Sequence, residues 1–150
     1  MQPAKLFLSL IVFTLISIQV RSQDFNVHTL IGKSQSEIIK KYGTPVHKDN
    51  SDPSMVCMFY KNATRTMVFV SDRNGVYQAE ATIINNNEQT ARKLIDEFIS
   101  SSLTIEFVTD TITLSDFRLH KTGVKANLQL FENKLTGKYE IRVKANRTEQ

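Results

Sequence analysis

The chain has 150 residues, 41% of them hydrophobic, with 19 Lys and Arg against 15 Asp and Glu and a formal net charge of +4. That length is enough for one domain with a core of its own. The only cysteine, Cys57, excludes an intramolecular disulfide framework, so stability has to come from core and sheet.

Residues 1–22 begin with a short segment carrying Lys5, continue as an apolar run from Leu6 to Ile18, and end in Val20-Arg21-Ser22. This is the pattern of a secretory signal peptide cut before Gln23. A membrane anchor is the competing reading, but the run is shorter than the roughly 20 apolar residues of a spanning helix. No cysteine follows it to take a lipid. Removing these 22 residues leaves a single domain of 128, and because Lys5 and Arg21 leave with the leader, 17 cations face 15 acids for a balance of +2. So small an excess gives little reason to expect nucleic acid as a partner.

Gln23 to Leu30 lacks periodicity and reads as an extended lead-in. A helix with both ends marked follows in the stretch Ile31 to Pro45. Ser34 and Glu37 form a capping box, Ile38, Ile39 and Tyr42 make an apolar stripe, Gly43 supplies the stop, and Pro45 prevents continuation. Val46 to Ser54 is polar and rich in breakers, as a surface loop would be.

Met55 to Tyr60 is apolar throughout and is expected to be a central strand buried on both faces, with Cys57 a small buried side chain. Arg65 to Ser71 and Val76 to Ile84 are joined by Asp72-Arg73-Asn74-Gly75, a strong hairpin turn. In the latter strand the small Ala79 and Ala81 leave room for a helix. Asn85-Asn86-Asn87 caps a second helix from Glu88 to about Ser100, whose Ala91, Leu94, Ile95, Phe98 and Ile99 recur at helical spacing.

Leu103 to Val108 and Ile112 to Leu119 are strand-rich with imperfect alternation. The last hairpin is clearer. Val124, Ala126, Leu128 and Leu130 alternate with polar residues, Glu132 to Gly137 turns, and Tyr139, Ile141, Val143 and Ala145 alternate again. The predicted architecture is α+β and two-layered, with two helices packed on one face of a mostly antiparallel sheet in the order helix, meander, helix, strands. Its repeated order suggests a structural duplication.

The pattern Gly32-x-Ser34-x-x-Glu37-Ile38, then Tyr42-Gly43-x-Pro45, then Phe59-Tyr60 and an Asn-Gly hairpin before Val76, resembles the SmpA/OmlA-like envelope proteins and, more broadly, the fold of the β-lactamase inhibitory protein. It spans residues 31–84. The resemblance implies a small exported bacterial module that works by binding other macromolecules. Asn62-Ala63-Thr64 and Asn146-Arg147-Thr148 fit the glycosylation sequon, which matters only in a eukaryotic secretory host; a bacterial origin makes them chance matches.

No phosphate loop, nucleophile elbow or carboxylate pair stands at a recognisable spacing. His28, His47 and His120 are far apart and outside metal-ligand spacing, and read as structural or surface residues. His47 with Asp49 and Asp52 suits a weak cation site or simply a polar loop. No cofactor is expected. From Arg118 to Arg147, however, eight Lys or Arg face only Glu132 and Glu140 within thirty residues. Alternation puts Lys125, Lys138, Arg142 and Lys144 on the wet side of the last hairpin. That face is either a solvated surface whose charge discourages aggregation or a docking surface for a protein or an anionic envelope component. The sequence thus points to a non-enzymatic exported binding module, with a small-ligand carrier or weak hydrolase using a pocket between the second helix and the sheet as the alternative.

Overall fold

The computed structural model describes residues 24–149 of the chain. The expected leader at 1–22 lies outside these described residues.

One antiparallel sheet of eight strands dominates the described residues. In chain order the elements are a 3-10 turn Val27–Leu30, α1 Gln35–Tyr42, β1 His47–Asp49, β2 Val56–Lys61, β3 Arg65–Asp72, β4 Gly75–Asn85, α2 Glu88–Thr104, β5 Val108–Thr113, β6 Asp116–Lys121, β7 Val124–Asn133 and β8 Lys138–Arg147. The spatial order is β1-β2-β3-β4-β8-β7-β6-β5, two four-stranded meanders joined along β4 and β8. The first meander follows α1 in the chain and the second follows α2.

The expected arrangement of two helices layered on a sheet is overturned. Strand dominates, and α1 cannot form half of a helical layer because it is eight residues long and fully buries only Ile38. It attaches through aromatic rings instead. Tyr42 lies 5.7 Å from Phe69 and 5.8 Å from Tyr60, and the Tyr60 hydroxyl donates to the Gly43 carbonyl at 3.0 Å. The place on the sheet is taken by the lead-in, which is not extended but buries Phe25, Val27, His28 and Leu30.

Small side chains make that docking possible. Ala79 of β4 stands opposite Ala145 of β8, which stands opposite Ala126 of β7, and all three are buried. Such a row lowers the sheet surface so that the Val27–Leu30 turn can rest on it. Beside the turn, α2 presents Ala91, Ile95 and Phe98 to the same face, and Phe98 stacks on Phe25 with ring centroids 5.1 Å apart.

Three further expectations change. His47–Asp49 is a short edge strand inside what reads as a loop, its entry fixed by the Val46 N–H donating to the Phe59 carbonyl at 2.8 Å. β2 alternates between buried and half-buried positions because only one face of the sheet is covered, and this leaves Cys57 half-buried on the other. Finally, α2 runs four residues past Ser100, absorbing the start of the strand expected at Leu103.

Candidate functional site

The face of the sheet opposite α2 carries no covering element among the described residues, and register decides which side chains share it. In one row across the strands, His47, Phe59, Val68, Glu80, Lys144, Asn127, Arg118 and Asp110 follow one another from β1 to β5. In the next, Lys61, Thr66, Thr82, Arg142, Gln129 and Asp116 do so from β2 to β6. The face thus has two characters. Over β2 and β3 it is partly apolar, with Phe59 and Val68 half-buried and the His47 ring 5.7 Å from Phe59. Over β6, β7 and β8 it is polar and basic.

Lys125, Arg142 and Lys144 are brought together as alternation predicts, since Lys125 pairs with Asn146 and so points the same way as Lys144 and Arg142. Lys138 shares the face but opposes Asn133 at the far end of β8. Six residues of strand, roughly 20 Å, separate it from Lys144. It does not belong to the cluster. Arg118 does, because it opposes Asn127, whose other neighbour is Lys144. Sequence alone does not place Arg118, as the imperfect alternation of 112–119 leaves its face undetermined.

Electrostatics separates these cations. The Lys144 ammonium lies 3.2 Å from the Glu80 carboxylate and is paired with it. Arg142 sits over the Phe131 ring at 4.8 Å, a contact that positions the guanidinium without discharging it. Among the described residues Arg118, Lys125 and Arg142 have no carboxylate partner. Between them stand the carboxamides of Asn127 and Gln129, both exposed. The arrangement is rich in donors and suits carboxylate, phosphate or sulfate groups.

The linear count of basic residues overstates this patch. Lys121 faces the other way and donates to the Ile105 carbonyl at 3.1 Å, Lys134 pairs with Glu132 in the turn, and Arg147 pairs with Asp72. Asp116, Glu140 and the Asp110 carboxylate, 3.4 Å from His120, also lie on the uncovered face. Arg118, Lys125 and Arg142 are the cations without a carboxylate partner at the centre of this patch, with Lys138 apart from them at the far end of β8.

The other sequence candidates come apart. His28 is buried with its Nε2 2.9 Å from the Ser102 hydroxyl, His47 packs on Phe59, and His120 pairs with Asp110. Asp49 and Asp52 accept hydrogen bonds from Ser51 and Ser54 and are committed to the turns of their loop. Among the described residues no group of His, Cys, Asp and Glu is arranged to hold a metal ion. The space between α2 and the sheet, where a ligand pocket was an alternative, is filled by Ala91, Ile95, Phe98 and the sheet residues beneath them. A cleft of about 570 Å³ lies at the start of α1, but Ser34 and Glu37 occupy its helix donors as a capping box. Among the described residues no helix is long and apolar enough to cross a membrane.

No family model matches the chain, and no curated protein does. Among solved structures it is similar to an extracellular protein containing an SCP domain from Bacillus anthracis, at 14% identity and a TM-score of 0.44 over 81% of this chain and 47% of that one. It is also similar to a cysteine-rich secretory protein from Staphylococcus aureus, at 10% identity and a TM-score of 0.44 over 80% of this chain and 45% of that one. The chain spans less than half the length of either, and likeness at this level carries no argument about activity or location.

Proposed function

We propose that the chain is an exported, non-enzymatic binding module whose uncovered sheet face takes up an anionic surface of a protein or of the cell envelope. The carrying observation is the group Arg118, Lys125 and Arg142, unpaired and interleaved with Asn127 and Gln129, next to an apolar strip of Phe59 and Val68. A partly apolar patch with a charged rim is the usual anatomy of a protein-binding surface. The leader pattern of residues 1–22 supports export, and the resemblance of residues 31–84 to small exported envelope proteins supports the same reading.

Co-sedimentation with purified envelope fragments tests it. The wild type is retained at low salt and released as ionic strength rises, because exposed charges are screened over about 10 Å at 0.1 M salt. The Arg118→Glu, Lys125→Glu, Arg142→Glu variant loses at least about tenfold in retention, a loss equal to about 1.4 kcal/mol. Equal retention of variant and wild type, or no retention of either, removes the proposal.

A further inference from the structure

An open cleft of about 610 Å³ lies where the end of β3, the start of β4 and the end of β8 come together. Register and chain position assemble its walls. Gln78 of β4 stands opposite Asn146 of β8, while Asp72 is the last residue of β3 and Arg147 the last of β8. The chain beyond β8 is held in place by the Thr148 N–H, which donates to the Gly123 carbonyl at 3.0 Å. Tyr77, Gln78, Asn146 and Thr148 are half-buried, as side chains lining a depression are.

The two central charges of the cleft are already committed to each other. Arg147 donates through Nη1 to Asp72 at 3.3 Å and pairs with its second carboxylate oxygen through Nη2, and the guanidinium lies 5.7 Å from the Tyr77 ring centre. Asp72 also accepts from the Asn74 N–H at 2.7 Å. With that pair cancelled, the remaining charge in the lining is Glu149, which repels an anion. The neutral groups, by contrast, are free. Among the described residues the Tyr77 hydroxyl, the Asn146 carboxamide and the Thr148 hydroxyl make no hydrogen bond, and Gln78, whose Nε2 donates to Glu80 at 3.0 Å, keeps its carbonyl oxygen open. The cleft thus presents neutral donors and acceptors side by side, around one aromatic ring.

We infer that this cleft binds a neutral saccharide unit. A sugar hydroxyl both donates and accepts, so it matches a wall of carboxamides and hydroxyls that a phosphate or an ammonium group would leave half unsatisfied. The guanidinium N–H groups of Arg147 that Asp72 does not use add donors whose plane is fixed by the ion pair and by the Tyr77 ring. That ring supplies apolar surface for the C–H groups of a sugar. The volume falls within the range of small-molecule sites, about 300–1,000 Å³. The inference goes beyond the anionic partner proposed for the basic face and does not rest on it, because Arg118, Lys125 and Arg142 do not line the cleft.

Proton–nitrogen correlation spectra of the purified protein read the outcome through the side-chain amide signals of Gln78 and Asn146, with cellobiose, maltose and N,N′-diacetylchitobiose as probes. The expected result is that at least one of these sugars shifts both signals saturably, with half-saturation at about 1–10 mM, the range of a weak small-ligand site. Asn146→Ala raises that concentration at least about fivefold while the backbone signals of the other strands stay in place. Tyr77→Phe removes a single oxygen and leaves the ring beside Arg147, so it keeps the test open if the alanine variant does not fold; it raises half-saturation about threefold. No saturable shift with any of the three sugars, half-saturation unchanged in a folded variant, or a larger displacement of the same signals by inorganic phosphate overturns the inference.

Discussion

Gly75 lies so close to Gly32 that a Cβ added to it would stand 2.6 Å from the Gly32 carbonyl oxygen. The approach is held by two main-chain hydrogen bonds, from the Gly32 N–H to the Val76 carbonyl at 2.7 Å and from the Val76 N–H to the Lys33 carbonyl at 2.9 Å. Through this contact the segment entering α1 is pinned to the turn between β3 and β4. Gly75 also has φ of +99°, so an alanine there meets both a clash with backbone and an unfavourable dihedral. Gly32 has φ of +82° with open space around it, and pays only the dihedral term. Gly75→Ala is expected to destabilise by about 3 kcal/mol or more, and Gly32→Ala by about 1 kcal/mol. Paired denaturation curves check this, and equal losses would show that the close approach does not matter.

A buried histidine gives the domain a pH dependence. The Ser102 hydroxyl has one proton and lies 2.7 Å from the Phe98 carbonyl, to which it donates. The network therefore assigns Nε2 of His28 as donor to Ser102 at 2.9 Å and leaves Nδ1 a bare acceptor without a partner. The ring is packed between Phe98 and Phe107 at 4.5 and 4.8 Å. Burial in this setting pushes the His28 pKa from 6.5 down to about 4, with Lys41 and Lys121 adding to the shift and Asp24 opposing it. The unfolded chain thus takes up a proton near pH 6.5 that the folded chain refuses until about pH 4. Stability is full above the first value, falls between the two, and levels below the second. The expected loss is about 3 kcal/mol, read as a lower urea midpoint at pH 4.5 than at pH 7. His28→Phe should flatten that slope, and an equally steep slope in the variant would assign it to other groups.

The row of Ala79, Ala145 and Ala126 makes a third prediction. Because the Val27–Leu30 turn needs the low sheet surface, Ala145→Leu forces the turn and Phe25 away from α2. Overpacking of this kind costs about 1–3 kcal/mol, and the strain falls on the lead-in rather than on the strands. Hydrogen exchange is expected to speed up at Val27 to Leu30 while β4 and β8 stay protected. Uniform deprotection would place the strain in the sheet.

How much of this was legible in the sequence depends on whether the deciding interaction was local. The ends of α1 were, because a capping box is made by neighbours: the Glu37 carboxylate accepts from the Ser34 N–H at 2.8 Å, and the Ser34 hydroxyl accepts from the Glu37 N–H at 3.3 Å. The start of α2 was legible for the same reason, with the Asn87 side chain accepting from the Thr90 N–H at 2.8 Å. Its end was not, since Ser102 is kept helical by being buried against His28, 74 positions away in sequence. The 3-10 turn has four residues and no periodicity to read, and what folds it is the alanine row of distant strands. The two helices do not make one layer because a well-marked helix need not be a well-buried one, and α1 fully buries only Ile38. Of the basic face, Lys125, Arg142 and Lys144 followed from alternation, whereas Arg118 needed the register of β6.

Lys144 and Arg142 are two residues apart on one strand and are expected to answer mutation differently. Lys144 is half-exposed and paired with Glu80 across β4 and β8, so its charge is spent within the chain. Exposed pairs of this kind stabilise by about 0.2–1 kcal/mol, and salt weakens them. Lys144→Ala should therefore lower stability by less than about 1 kcal/mol, and less still in high salt. Because it also frees Glu80 to repel an anion, it should weaken envelope retention as well. Arg142→Ala removes an unpaired charge held only over the Phe131 ring, and should weaken retention with little change in stability. In the double variant Lys144→Ala, Glu80→Gln, retention recovers if the freed carboxylate was responsible, because the local charge is then restored. Recovery without any change at Arg142 would identify Arg142, Lys125 and Arg118 as the charges a partner meets.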